Sequence, residues 1–407
     1  VFIRFSRLLH LSTYYNNINT KIYLNIYYGE RAAKTGGRMN LKFQKAQLVN
    51  ALSIVMKAVS TKTSSVILES ILITASDNRV VLDATDTELS IQTEVDAIIV
   101  NPGGVVLNAK LFSEIVRKFE NTDSLIELDV DKDFKTTIRC EQAVFNIMGI
   151  DPVEFIPMPS IDRDDFIKLS QFSLKEVIRQ TEFSTAISDI NRMMGGELID
   201  VKDNVAKFVT LDGHRMSIRN IELNGKFENQ RCVVPIKSLQ EVMRIIDSDT
   251  QKDVNIYFSK DHILFEFDKS LVLSRILDGE YFRIETMLSS DYDTKVTVSR
   301  NRFQSAIEQA MILIRENEHK PLILDIENGT LTLSVNSSLG FMDAKVNIDK
   351  SGSDLKIAFN PKFLVDALKV IDDDFVDIYF TNAKSPCFIR DDKNSYTYLI
   401  LPVNFVG

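Results

Sequence analysis

The sequence predicts an α+β protein made of three tandem copies of one domain, each copy a pair of helices backed by antiparallel sheet, and three observations predict it. An eight-residue pattern recurs as Lys110 to Arg117, Lys237 to Arg244 and Lys362 to Lys369, with starts 127 and 125 residues apart. A strand, polar corner and strand recur with Asp86, Asp212 and Asn336 in the corner, 126 and 124 residues apart. A first helix recurs over Phe43 to Val59, Ser173 to Ile187 and Asn301 to Arg315, each led in by a short apolar strand such as Val296-Thr-Val-Ser. Such a spacing is far above the roughly 20–50 residues of a solenoid repeat and matches a whole domain of ~100–150 residues.

The elements follow in order within each copy. After the first helix come short alternating strands, then the second helix, then more strands; Val254-Asn-Ile-Tyr-Phe, Ile263-Leu-Phe-Glu-Phe and Leu271-Val-Leu-Ser-Arg-Ile have the period of antiparallel sheet, with turns near Ser259 and Asp268. The second helices are amphipathic: Leu239, Val242, Met243 and Ile246 make one apolar stripe, and Lys237 and Arg244 point away from it. Seven residues are two helical turns, so the two cations of each copy share a face. Pro235 opens one second helix and Asn360-Pro361 another, where a missing N–H costs nothing. Polar, turn-rich joints near Pro157 to Asp165 and Leu288 to Asp293 divide the chain into copies over 39–160, 161–290 and 291–407.

Residues 1–38 stand apart, with six cations, the single acid Glu30 and no repeat partner. They are expected to be a disordered extension or translated upstream sequence, with Met39 the natural start. No apolar run approaches the ~20 residues needed to cross a bilayer, so no membrane partner is expected. Cys140, Cys232 and Cys387 fall one per copy, which excludes a disulfide within a domain and favours a reducing, cytoplasmic setting.

Charge is partitioned. The net charge is −9, and residues 39–407 alone carry −14. The six helical segments hold 15 Lys and Arg against 8 Asp and Glu, a surplus of +7, which leaves −21 on everything else in the repeat region. A solvated helix surface would explain any one pair of cations; three equivalent pairs at one spacing weaken that explanation.

Catalytic chemistry finds little support. The four histidines have no metal-ligand spacing, and no Cys-x-x-Cys, Gly-x-Gly-x-x-Gly or Walker loop occurs, so neither metal nor cofactor is expected. Asp212-Gly213-His214 places an acid two residues from an imidazole, but the equivalent corners keep the turn-forming residue and drop the His. Asp212 is therefore a turn-former, with Gly213 supplying backbone freedom.

Thr210-Leu-Asp-Gly-His-Arg-Met216, Leu277-Asp-Gly279, Phe359-Asn-Pro-Lys-Phe363 and the terminal Tyr398-Leu-Ile-Leu-Pro402-Val resemble the bacterial sliding clamps, the β subunits of the replicative DNA polymerase. The resemblance covers residues 39–407 and implies a head-to-tail homodimer closed into a six-domain ring, with helices lining the hole. It implies a non-catalytic processivity factor through which duplex DNA threads without sequence readout. Lys45, Lys57, Lys62, Lys110, Arg117, Lys175, Arg179, Lys237, Arg244, Arg302, Lys362 and Lys369 become the DNA-facing candidates.

It also implies a groove for short Gln- and Leu/Phe-containing peptides of the replicative polymerase α subunit, the clamp loader, other polymerases and repair proteins. The matching residues are Met194, Leu211, Gly213, His214, Arg215 and Met216, with Lys362, Leu399, Ile400, Leu401, Pro402 and Val403. Phe145 and Ile147 are expected to meet Ile312 and Leu313 of a second copy. The chain departs from the family at Phe155-Ile156-Pro157 and Tyr281-Phe282, where an aromatic usually precedes Pro directly, at Ser289, where a Pro often lines the pocket, and in the extended ending from Asn404. The alternative is a repeat scaffold that binds peptides without encircling DNA, and a hydrolase centred on His214 is a third class.

Overall fold

The structure, a computed structural model, describes residues 38–76, 78–120, 123–186, 191–315 and 320–405. The expectations for the segment before residue 38, and for His10 and His319, lie outside them. Two compact units emerge: one runs to Phe166 and takes in Val254–Arg275, the other holds Ile167–Asp253 and the chain from Ile276 onward.

The first unit begins with β1 (Met39–Gln44) and α1 (Lys45–Val55), followed by a single 3-10 turn over Met56–Ala58. A helix from Phe43 was expected, but Met39, Leu41 and Phe43 are all buried at period two, and that alternation holds the chain as strand to Gln44. Strands β2 (Ser70–Ser76), β3 (Arg79–Thr85), β4 (Leu89–Val95), β5 (Ala97–Asn101) and β6 (Gly103–Asn108) lead to α2 (Ala109–Lys118), then β7 (Leu125–Val130), β8 (Lys135–Cys140) and β9 (Ala143–Met148). One sheet is ordered β5-β1-β7-β8-β9. Asn108 caps α2, its side-chain oxygen accepting the Leu111 N–H at 2.9 Å. Phe112, Ile115 and Val116 then bury one face of α2, which packs against α1.

The second unit enters through β10 (Phe166–Ser170) and α3 (Gln171–Thr181), capped by Ser170, whose hydroxyl accepts the Ser173 N–H at 3.0 Å. The long strands β11 (Gly196–Leu211) and β12 (Arg215–Pro235) lead to α4 (Ile236–Ile245). The following strands, β13 (Asp253–Phe258), β14 (His262–Phe267) and β15 (Ser270–Arg275), return almost wholly to the first unit and extend its other sheet as β13-β14-β15-β4-β3-β2-β6. The second unit resumes with β16 (Thr294–Ser299), α5 (Arg300–Met311), β17 (Leu322–Glu327), β18 (Thr330–Ser337), β19 (Gly340–Gly352) and β20 (Leu355–Phe359). It ends with α6 (Pro361–Val370), β21 (Phe375–Phe380), β22 (Cys387–Arg390) and β23 (Tyr396–Ile400).

Its ten-stranded sheet is ordered β11-β12-β23-β22-β21-β16-β19-β18-β17-β20, and α3 with α4 and α5 with α6 form packed pairs against it. The apolar core of the third copy, from Val296 to Ile400, lies under α5 and α6. Asn360 caps α6 by accepting the Lys362 N–H at 3.0 Å, with Pro361 in the first turn. The three cysteines are buried and unbridged.

Two of the three repeated corners are alike. Asp86 Oδ1 accepts the N–H groups of Glu88 (3.0 Å) and Leu89 (2.7 Å), and Asp212 Oδ1 accepts those of His214 (2.9 Å) and Arg215 (3.0 Å). The third differs from expectation: Asn336 remains in β18, paired across from Phe341, and the turn is closed by Ser337, whose hydroxyl accepts the Leu339 N–H at 3.1 Å. A hydroxyl one residue later caps the N–H two positions on, and the strand runs two residues further before turning.

Candidate functional site

The corner between β11 and β12 begins the site. Gly213 takes φ +88°, a left-handed conformation in which a side chain is strained, and Met194 Cε lies 4.0 Å from where its Cβ would stand. His214 is exposed and its ring stacks on Phe363 at a centroid distance of 6.1 Å. The terminal strand docks beside the corner, with Met216 paired to Leu399, the Leu401 N–H donating to the His214 carbonyl at 2.9 Å and the Val403 N–H to the Ala358 carbonyl at 2.8 Å. Those bonds bring residues nearly two hundred positions apart to one spot.

Leu211, Met216 and Leu399 are buried in a single apolar cluster with Met193, Val209, Ile218 and Tyr281, and Met194 packs at its margin. Tyr281 is fastened by its hydroxyl, which donates to the Val209 carbonyl at 3.2 Å. Leu401 and Val403, each 37 % exposed, and the half-buried Pro402 continue this apolar surface to solvent. Around His214 this makes an apolar floor with a polar rim, suited to a short peptide. A cavity of about 480 Å³ borders another part of the cluster, lined by Leu198, Val233, Leu277, Tyr281, Arg283 and Glu285, and none of the expected groove residues lines it.

Two expected groove residues do something else. Ile400 is buried in the core of the third copy, because alternate residues of β23 face opposite sides and Leu399 and Leu401 take the groove side. Arg215 is turned inward, its side chain only 9 % exposed. Its Nε donates to Asp212 Oδ2 at 2.9 Å, one terminal nitrogen to Asp366 Oδ2 at 2.7 Å and the other to the Phe183 carbonyl. Lys362 is exposed on α6, in the turn that also carries Phe363.

Asp212 is fully occupied by backbone N–H groups and Arg215, as its turn-forming role requires, and no recorded bond joins it to the His214 ring. A buried polar group lies elsewhere in this copy: Thr181 Oγ1 donates to Glu197 Oε1 at 2.6 Å, and burial pushes the Glu197 carboxyl up to about 8. Thr181 and Glu197 are both fully buried, so this pair is closed to any substrate.

The expected DNA-facing cations divide. Lys110, Arg117, Lys237, Arg302 and Lys362 are exposed on their helices, and Lys57 and Lys62 are exposed beyond α1. Arg244 is exposed but pairs with Glu241, Lys369 approaches Glu308 at 3.8 Å, and the half-buried Arg179 pairs with Glu176 at 2.6 Å. Lys175, also half-buried, donates to the Ile246 carbonyl at 3.1 Å. Lys45 is the correction: only 7 % exposed, it turns its ammonium onto the Phe119 carbonyl and is not presented to a phosphate. The cause is the late helix start, which makes Lys45 the first helical residue and sends its stem across to the end of α2.

Of the expected dimer residues, Phe145 (39 % exposed) and the half-buried Ile147 lie on β9, the outer strand of its sheet. Ile312 is 76 % exposed just past α5, and Leu313 packs partly against the third-copy core. Sequence reasoning missed Phe183, Phe363 and Asp366 as supports of the groove. The last two stand in the repeated pattern itself, as its second and fifth residues.

Comparison with known proteins places this geometry. Three family descriptions of the DNA polymerase III β subunit match in order: the N-terminal domain over residues 39–159, the central domain over 168–282 and the C-terminal domain over 285–404. The β sliding clamp of Staphylococcus epidermidis is 32% identical over 376 residues, spanning 90% of this chain and 99% of its own. A crystal structure of a putative DNA polymerase III β subunit from Eubacterium rectale shares 48% identity with a TM-score of 0.87, covering 90% of this chain and 99% of that one. The DNA polymerase sliding clamp of Bacillus subtilis shares 32% identity at a TM-score of 0.87, covering 91% of this chain and all of its own. Three successive domain matches, in the order of the internal repeat and spanning nearly every described residue, establish that the chain belongs to the DNA polymerase III β subunit family, the β sliding clamps.

Proposed function

We propose that two copies of this chain close head to tail into a ring around duplex DNA, hold the replicative polymerase there, and receive their partners through the groove at His214. The observation that carries this reading is the full-length family match together with cations on helices of all three copies. A sliding clamp is a processivity factor and not an enzyme; its work is topological. Helix cations facing phosphates give weak, salt-sensitive and sequence-independent contact, which permits sliding. The strongly negative remainder of the surface discourages DNA from binding anywhere else.

The three copies, with joints near residues 160 and 290, would act as three clamp domains, making six in the dimer. Two exposed strand edges support the closure. β9 has a neighbour on one side only, and the first half of β19 pairs with β18 alone. Phe145 and Ile147 on the first edge would meet Ile312 and Leu313 of the second copy. The partners are the polymerase α subunit, the clamp loader, other polymerases and repair proteins, each offering a short Gln- and Leu/Phe-containing peptide, and the setting is the cytoplasm. Among the described residues no helix is long and apolar enough to cross a membrane.

Loading the protein on a nicked DNA circle and then linearising it is the test. Loss of the protein on linearisation is expected, and retention would contradict the ring. Binding of peptide with no loading on DNA at all would favour the scaffold alternative.

A further inference from the structure

We propose that Asp366 is a positioning residue for the peptide groove: it holds Arg215 in place from α6, so the helix that carries Lys362 and Lys369 also sets the shape of the groove. This rests on the groove reading above.

The geometry is that of a keystone. Arg215 lies between two rings, 5.3 Å from the centroid of Phe183 and 4.5 Å from that of Phe363. Its donors reach three separate parts of the chain: Asp212 in the corner, the Phe183 carbonyl just after α3, and Asp366 on α6. A guanidinium has a rigid planar fork, so satisfying three acceptors at once fixes its position and that of the backbone bearing it. The backbone so fixed belongs to the groove, because the residues on either side are His214 and Met216 and the His214 carbonyl accepts the Leu401 N–H. Arg215 is therefore not a rim donor awaiting a peptide. It is already consumed.

Asp366 is the acceptor supplied from outside the second copy, 151 residues along the chain. One turn earlier on the same helix face, Phe363 meets both the His214 ring and the Arg215 guanidinium. The repeated pattern has an acid at this place in every copy, but its use differs: Glu241 pairs with Arg244 on its own helix, whereas Asp366 crosses to the corner. With the pair largely buried, removing the Asp366 carboxylate leaves Asp212 as the one carboxylate on Arg215 and frees a terminal nitrogen of the guanidinium to draw the corner toward water.

The experiment measures binding of a labelled short peptide containing Gln followed by Leu and Phe to the full chain, with sedimentation of the dimer measured alongside. Asp366→Asn should weaken the peptide by about tenfold, as expected for losing one partner of a buried charge pair, and leave the sedimentation of the dimer unchanged. Asp366→Glu, which restores the carboxylate, should recover most of the affinity. A general packing defect would impair both readouts and would not be rescued by Glu. Equal affinity of Asp366→Asn and the unaltered protein would overturn the proposal, as would failure of Glu to rescue. If Asp366→Asn does not fold, Arg215→Lys replaces it: one ammonium cannot reach three acceptors, so the same loss is expected and unchanged affinity is equally fatal. Absence of peptide binding to the unaltered protein would instead remove the groove reading itself.

Discussion

The corner at Asp86 and the corner at Asp212 share one backbone and differ in chemistry. Each turns on an aspartate that accepts the N–H groups two and three residues on. Each accepts an N–H from a strand supplied by the following copy, Arg275 to the Glu88 carbonyl and Leu401 to the His214 carbonyl, both at 2.9 Å. Strand register agrees as well. Asp83 faces Gln92 and Thr85 faces Ser90 in the first, where Val209 faces Ile218 and Leu211 faces Met216 in the second.

What differs is the floor and the rim. In the first corner Gln92 donates to Asp83 at 2.7 Å and the Thr85 and Ser90 hydroxyls meet at 2.8 Å; in the second the equivalent positions are apolar. At the rim Glu88 and Arg275, both half-exposed, approach within 3.9 Å, where the second corner has His214 and Leu401. A solvated ion pair contributes little and offers no apolar area, whereas Leu401 at the second rim, 37 % exposed above an apolar floor, is surface that a peptide can cover. These two copies keep one turn, and the difference between them lies in their side chains.

The floor carries the largest expected effect. Leu211→Thr with Met216→Ser, which gives the second corner the first corner's pair, should cost about 3–5 kcal/mol through lost apolar burial and cavity formation, read from urea unfolding. Transplanting the rim, His214→Glu with Leu401→Arg, should lower peptide affinity on the order of a hundredfold, roughly 2.7 kcal/mol, with little change in melting; fluorescence anisotropy of a labelled peptide checks it.

The buried acid of the first floor predicts a pH effect. Burial pushes the Asp83 carboxyl from 3.8 up to about 7, against a lowering by its Gln92 hydrogen bond. A carboxyl raised on folding contributes stability that is complete below its unfolded value and is lost as pH rises through the folded one. Between those limits Asp83→Asn should flatten the fall in stability by about 1.4 kcal/mol per pH unit. Urea titrations across that window provide the measurement, and an unchanged slope would remove Asp83 as the source. The smallest effect belongs to the first rim: Arg275→Ala should change stability by less than about 1 kcal/mol, measured the same way.

Much of this was legible in the chain because repetition makes local signals testable against each other. Asp212 was readable as a turn-former since Asp86 repeats it without the His, and the amphipathic spacing of Leu239, Val242 and Ile246 located a buried face that the structure retains. The misreadings arose where a long-range contact overrides a local pattern. Lys45 has the helical setting of a surface cation, but a carbonyl 74 residues away takes its ammonium. Arg215 reads as a rim residue until Asp366 is brought to it. Asn336 aligns with two aspartates, yet Ser337 caps the turn. Asp83 was within reach of sequence reasoning, as a charged residue on the same strand face as Val81, between the apolar Leu82 and Ala84. Nothing local says that the face is covered.

Hydrogen exchange with and without a short Gln- and Leu/Phe-containing peptide reads both corners in one experiment. Slowed exchange is expected over residues 212–216 and 399–403, with residues 86–90 and 273–275 unchanged. Protection at the first corner, or none at the second, would contradict the groove at His214.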